Sequence, residues 1–246
     1  MGTVGTGARA VRPRRGPGLT GSGRGEQTRD RIVGTALRLF RERGYDATTM
    51  RAVAGEAGVS LGNAYYYFAS KEHLVQAYYD VTQQDHVEAA RSVLDQERDF
   101  AARLLGVLRA RVDTMADYHE FAAAFFKHAA DPRSPLSPFS EESRPAREAS
   151  TAIFRTVVEG SDVRCAAELR PVLPELLWLY QMGIVLFWVY DRSEGVAATH
   201  VLVERTVPLV ARLVSLSRLR VLRPTVDEVL RLLRELGVTG GPAGNG

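Results

Sequence analysis

Apolar side chains recur along this chain at helical spacing almost throughout. Between Glu26 and Phe40, the residues Val33, Ala36, Leu37 and Phe40 fall three and four apart, and Gly44 stands where a left-handed residue would end a helix. Thr49 is placed to cap a short helix whose Met50, Val53, Ala54 and Ala57 share one face. Gly58 then makes a turn, and Ser60 is placed to cap a third helix. Ser70 would cap a fourth, with Leu74, Ala77, Tyr78 and Val81 on its inner stripe. Further helices are expected over about 84–96, 99–116, 118–130, 142–160, 172–191, 196–219 and 225–236. Pro132, Pro135 and Pro138 force a loop between two of them, and Pro208 should kink or divide another. Thr225 and Glu228 have the spacing of a capping box, Gly237 is a stop, and the tail from Thr239 is expected to fray. No stretch alternates in the manner of a strand, so the fold class is all-α.

The stretch "GVSLGNAYYYFASKEHL", residues 58–74, does not fit a simple amphipathic pattern. On a helix over 61–68, Leu61, Ala64, Tyr65 and Phe68 share one face, while Gly62, Asn63, Tyr66 and Tyr67 point elsewhere. A small domain buries Ala64 and Phe68 but not three tyrosines aimed in different directions, so at least one or two are exposed. A tyrosine hydroxyl is a good donor to phosphate, and an asparagine offers a two-point contact to a base edge. Gly62 leaves room for close approach. Lys71 opens the next helix, where backbone N–H groups already favour an anion. Short helices around the tight turn at Ala57-Gly58-Val59 are the mark of a helix-turn-helix, and this surface suits DNA.

Charge adds a second feature. Residues 1–25 carry Arg9, Arg12, Arg14, Arg15 and Arg24 without an acid, so the segment is +5 within a chain of net charge +3. Rich in glycine and poor in large apolar side chains, it is expected to be a disordered basic arm. It is either a nucleic-acid-binding arm or a leader without function. The single cysteine, Cys165, excludes an internal disulfide framework and a Cys-rich zinc site and fits a reducing, cytoplasmic interior. No segment has the length and apolar core of a secretory signal. The longest apolar run, Leu176–Tyr190, contains Gln181 and falls short of the roughly 20 residues of a membrane span, so it reads as a buried helix and no membrane partner is expected.

With these residues in view, "TTMRAVAGEAGVSLGNAYYYFASKEHL" (48–74) resembles the DNA-binding segment of TetR-family transcriptional regulators. The shared pattern is the Thr-capped second helix, Ala54 and Gly58-Val59-Ser60 through the turn, an aromatic run ending in Phe68, and Ser70-Lys71-Glu72 with Leu74. The resemblance implies a helix-turn-helix domain over 26–72. It also implies a helical effector-binding and dimerisation domain over 73–238, whose last two long helices enter an intersubunit four-helix bundle. It implies a homodimer on a palindromic double-stranded operator, a small-molecule effector and no cofactor. Thr49 would sit beside a phosphate, and Arg51 would reach a base or the backbone. Leu61, Gly62, Asn63 and Tyr66 would face the major groove, with Tyr65, Tyr67 and Lys71 on phosphates and Ser60 among the DNA-binding residues. Ala64 and Gly55 are smaller than the pattern prefers.

For the effector, Met115, Phe121, Phe125, His128, Trp178, Gln181 and Met182 mix aromatic walls with a few polar groups, as ligand sites do. Gln181, a lone amide in an apolar helix, wants a partner. LLWLYQMGIVLFWVY is apolar on every face and must be covered all round, most simply by its own domain on one side and a second subunit on the other, the alternative being burial by this chain's own helices alone. Leu179, Gly183, Leu186, Tyr190, Val203 and Val210 are the candidate dimer residues, Gly183 allowing close approach. An enzyme has little support. His119-Glu120-Phe121-Ala122-Ala123 begins like a zinc-protease helix but lacks the second histidine, and there is no nucleophile elbow, P-loop or metal-ligand cluster. A DNA-binding dimer governed by a protein partner, or by nothing, is the other alternative, and a domain without a cavity would favour it.

Overall fold

The computed structural model describes residues 23–235, except the side chains of 120, 121 and 123–125. Most of the basic arm, Gly237 and the tail from Thr239 lie outside the described residues. Ten α-helices follow one another, and no strand occurs among the described residues. They are α1 (Arg24–Arg43), α2 (Met50–Glu56), α3 (Leu61–Tyr67), α4 (Lys71–Gln96), α5 (Phe100–Met115), α6 (His119–Ala129), α7 (Arg144–Glu159), α8 (Leu173–Tyr190), α9 (Ala197–Leu216) and α10 (Arg223–Glu235).

α1 to α3 close over one apolar cluster built on Ile32, Ala36, Phe40, Val53, Ala64 and Phe68. Thr49 Oγ1 accepts from Ala52 N at 3.2 Å and Ser60 Oγ from Asn63 N at 3.1 Å, so both expected caps are formed. Gly58 takes φ +64°, and Val59 N reaches back to Ala54 O at 3.0 Å, which turns the chain sharply between α2 and α3. Gly44 departs from expectation. Its φ of 81° comes with ψ 161°, an extended form open essentially to glycine alone, in place of the left-handed helical one. Ala64 is fully buried, and a Cβ on Gly55 would meet open space, so neither small residue loosens this core.

The segments expected from Ser70 and over 84–96 join into the single helix α4. Its start, with Leu74, Val75, Ala77 and Tyr78, belongs to the N-terminal cluster, whereas Ala90 belongs to a second one. That second core is formed by α5, α7, α8 and α9 around Leu104, Leu108, Phe154, Leu177, Trp188 and Val203. Val81 is exposed, because the inner stripe drifts onto Thr82, Gln83 and His86 as α4 passes from one core to the other. Ser70 precedes α4 but makes no cap bond, its hydroxyl pairing with His73 Nδ1 at 3.0 Å. Thr225 lies inside α10, which starts two residues earlier, and Glu228 pairs with Arg231 at 2.9 Å, so the capping box is not made. Pro208 sits within α9 without dividing it.

Two buried charged groups fix the second core. Arg103, 2% exposed, donates to Leu94 O (2.6 Å), Glu97 O (2.7 Å), Thr156 O (2.7 Å) and Val157 O (3.2 Å), closing the C-terminal ends of α4 and α7 at once. Asp191 joins α8 to α9, accepting from the amides and hydroxyls of Ser193 and Thr199 at 2.7–2.9 Å. Burial pushes its carboxyl up, but these four bonds outweigh burial and hold it well below the usual carboxylate range. A group depressed in the folded state adds stability that is present above its ordinary pKa of about 3.9 and is lost as pH falls toward the folded value. Asp191→Asn should therefore melt below the wild type at pH 7, with the gap narrowing as pH drops below about 4. A gap that stays constant across that range would refute the role of the ionised carboxylate.

Candidate nucleic-acid interface and effector cavity

α3 is two turns long, and its fixed turn and cap leave one side free of the core. Ala64 is buried, while Gly62, Asn63, Tyr65 and Tyr66 are exposed, Tyr66 at 82%. The aromatic run divides as its chemistry requires. Phe68 follows the helix in extended conformation, contrary to a helix through 68, and seats in the core with the Arg29 guanidinium 5.4 Å from its ring centre. Tyr66 stands edge-on to Tyr67 at 5.2 Å. The Tyr67 hydroxyl lies beside Gly25, in the first turn of α1. Leu61 is half-buried, and Tyr65 is 49% exposed.

No residue from Ala57 to Ser70 carries a charge. Arg51, exposed on α2, and Lys71, at the start of α4, flank this neutral helix. The acid of α2, Glu56, is held elsewhere, taking Arg38 and Arg43 of α1 at 2.5 Å each. Lys71 is not a free ammonium as expected. Its Nζ donates to Tyr45 O at 2.7 Å and lies 4.0 Å from the Tyr45 ring centre, because that carbonyl and ring face come within reach of its stem.

A cavity of about 520 Å³ lies between α4, α5, α6, α7 and α8 and is closed on one side by the proline loop. Of the seven residues expected there, Met115, Trp178 and Met182 line it. Phe121 and Phe125 are among the side chains outside the described residues. Gln181 sits one layer behind the wall, fully buried, and donates through Nε2 to Ser150 Oγ at 3.2 Å, Ser150 being itself in the wall. His128 faces the opposite way. Its ring lies tilted against Tyr45, centres 4.8 Å apart, with Nε2 3.0 Å from Asp46 Oδ1, so it joins α6 to the loop between α1 and α2. Sequence reasoning missed Tyr78, Tyr79, Arg111, Arg147 and Trp188 in the wall. Trp188 lay within the apolar run already singled out, but nothing in the local pattern marks the arginines.

The proline loop touches both units. Pro132, Pro138 and Phe139 line the cavity, whereas Leu136 is buried in the N-terminal cluster, and Gln76 Nε2 of α4 holds Pro135 O at 2.8 Å. α8 exposes Gly183 and Leu186, which also border the cavity, together with Phe187 and Tyr190, and α9 exposes Val201, Leu209, Leu213 and Leu216. Leu179 and Val210 are half-buried against their own core. Val203 is fully buried within that core and, contrary to expectation, does not reach the exposed face of α9. By length and composition α8 could cross a membrane (mean hydropathy 1.3), but here it packs against α6, α7 and α9.

Residues 32–78 match the family model for bacterial regulatory proteins, tetR family, and residues 103–232 match that for the tetracyclin repressor-like C-terminal domain. The HTH-type transcriptional repressor KstR2 of Mycobacterium tuberculosis is 30% identical over 98 residues, 40% of this chain and 49% of that protein. The curated relatives are thus matched over about half of their length or less. A TetR-family regulator from Syntrophomonas wolfei superposes with a TM-score of 0.60 at 17% identity, covering 76% of this chain and 95% of the other. The Thermus thermophilus repressor FadR, in complex with lauroyl-CoA, superposes with a TM-score of 0.55 at 22% identity, covering 89% and 100%.

Proposed function

The chain belongs to the TetR family of bacterial transcriptional regulators, and from that premise we propose that it is a homodimeric repressor released from its operator by a small molecule. The observation that carries this reading is α4. The helix begins at Lys71, with three residues separating it from the end of α3, and its middle, at Tyr78, Tyr79, Thr82 and Gln83, forms a wall of the cavity. A molecule seated there bears on the helix from which the reading head hangs. α6 also links the two, with Ala122 and Phe126 in the wall and His128 on Tyr45 and Asp46.

Two reading heads reach successive major grooves only when held about 34 Å apart. A ligand that binds better to a different spacing lowers operator affinity by its differential affinity for the two states. The exposed apolar residues of α8 and α9 are the surface on which a second copy would pack. Asn63 and Tyr66 would meet base edges, with Thr49, Tyr65 and Tyr67 on phosphates and Arg51 on either. The lauroyl-CoA held by a regulator of the same fold supports small-molecule control. Control by a protein partner alone would leave a cavity of this size without a use. The relatives are regulators, which speaks against an enzyme, and the work is expected in the cytoplasm, beside the chromosome.

The purified protein is expected to run as a dimer and to retard DNA from upstream of its own gene. Affinity should fall steeply with salt, as phosphate contacts release counterions. Binding that does not distinguish this DNA from a scrambled duplex would sink the proposal.

A further inference from the structure

The wall of the cavity contains two guanidiniums, Arg111 and Arg147, and no carboxylate among the described residues. Arg147 is occupied, donating through Nη1 to Pro138 O at 2.6 Å and Ser140 O at 3.2 Å. Arg111 is not. Its Nε and Nη1 are buried without a hydrogen-bond partner, and no described acid lies within ion-pair distance. Its neighbours do not supply the missing charge. Tyr78 and Tyr79 keep their protons, burial pushing both phenols up. His86 donates from Nε2 to Val107 O at 2.9 Å, and burial, with the charge of Arg111, pushes it down to about 4, so it stays neutral.

A guanidinium does not shed its charge in a protein, so burial leaves a cation facing an apolar chamber. Leaving such a charge unpaired costs stability, and a cost of this kind at a cavity marks a place where a ligand brings the counter-charge. Trp188 adds to the case, because its indole N–H is also buried, unpartnered and in the same wall. Gln83 Nε2 is a third such group in the wall, and all three are donors that require an acceptor. The remaining wall is largely apolar, with Met115, Phe126, Trp178 and Val185 among its residues.

We propose that the cavity takes an apolar molecule bearing a single anionic group, with Arg111 as its counter-ion and the Trp188 indole as a further donor. The assignment rests on the cavity being the effector site and specifies the chemistry of what enters it.

The test uses two fluorescent probes that share one ring system, 8-anilinonaphthalene-1-sulfonate and its uncharged parent N-phenyl-1-naphthylamine. The chain's two tryptophans, Trp178 and Trp188, both line the cavity, so energy transfer from them reports a probe bound inside it. The wild-type dimer should bind the sulfonate about tenfold or more tightly than the parent, as a charge-assisted bond implies. Arg111→Met should abolish that preference while operator retardation without ligand is unchanged, and Arg111→Lys should retain part of it. Equal affinity of the wild type for the two probes, binding of neither, or an anion preference that survives Arg111→Met would each overturn the proposal. Operator release is measured separately with each probe. Anion-selective binding without release would defeat ligand control and leave the site standing, whereas release by the neutral probe with no anion preference would do the reverse.

Discussion

The double variant Asn63→Ala/Tyr66→Ala is expected to bind the operator on the order of a hundredfold more weakly than the wild type, with no change in melting temperature. Each good contact to a base edge contributes about 1–3 kcal/mol of discrimination, and two of them account for a loss of that size. Both side chains project from α3 on its exposed side, and neither belongs to the core that Ala64 and Phe68 form. Their loss should therefore fall on recognition, and affinity for scrambled DNA should change little. Lys71→Ala should act differently. Its ammonium is engaged with Tyr45 O, so the expected result is a smaller loss, similar for all sequences, and a salt dependence shallower by less than the roughly one unit that a full phosphate contact gives. Anisotropy titrations at several salt concentrations separate the two. If the double variant binds operator as the wild type does, α3 is not the reading helix.

Arg103→Met should destabilise the fold by about 3–5 kcal/mol, the penalty for breaking a buried charged network. For a chain of this length that corresponds to roughly 6–20 °C in melting temperature. The guanidinium serves four carbonyls at the ends of α4 and α7, and methionine fills its volume while leaving all four without that donor. Gly160→Ala tests the same cluster from outside, since its Cβ would lie 2.3 Å from Arg103 Nη2. It should lower the melting temperature in the same direction, and the two effects should not add, because both act on one network. An Arg103→Met protein melting within about 2 °C of the wild type would show that the carbonyls find other partners.

Much of the N-terminal unit could be read from the chain because its determinants are local. Thr49 and Ser60 cap helices that begin at the next residue, Gly58 turns where a Cβ would be strained, and Tyr66 has no buried position available within so short a helix. What escaped reading depends on partners distant in sequence. Arg103, Arg111 and Asp191 occupy positions that look like solvated faces, and only the arrival of α7 or the start of α9 buries Arg103 and Asp191, while Arg111 is drawn half-buried into the cavity wall. His128 reads as a pocket residue by its apolar neighbours, but it turns to Tyr45 and Asp46, more than 80 residues away in the chain. Val203 has the composition of an interface residue, and the distinction between inner and outer face of α9 is set by which side meets α5. Ser70 and Thr225 carry capping chemistry, yet His73 claims one hydroxyl and an earlier helix start displaces the other.

The place of α4 in two cores restricts how such a regulator changes over generations. A substitution at Tyr78 alters the chamber and the packing beneath the reading head together, so a new ligand preference gained there comes with altered recognition of DNA. Substitutions at Met115, Ala146 or Met182 carry no such linkage, for these residues line the chamber from α5, α7 and α8 and lie outside the N-terminal cluster. New specificities are therefore more accessible through those three walls, while α4 is held to its sequence by two demands at once.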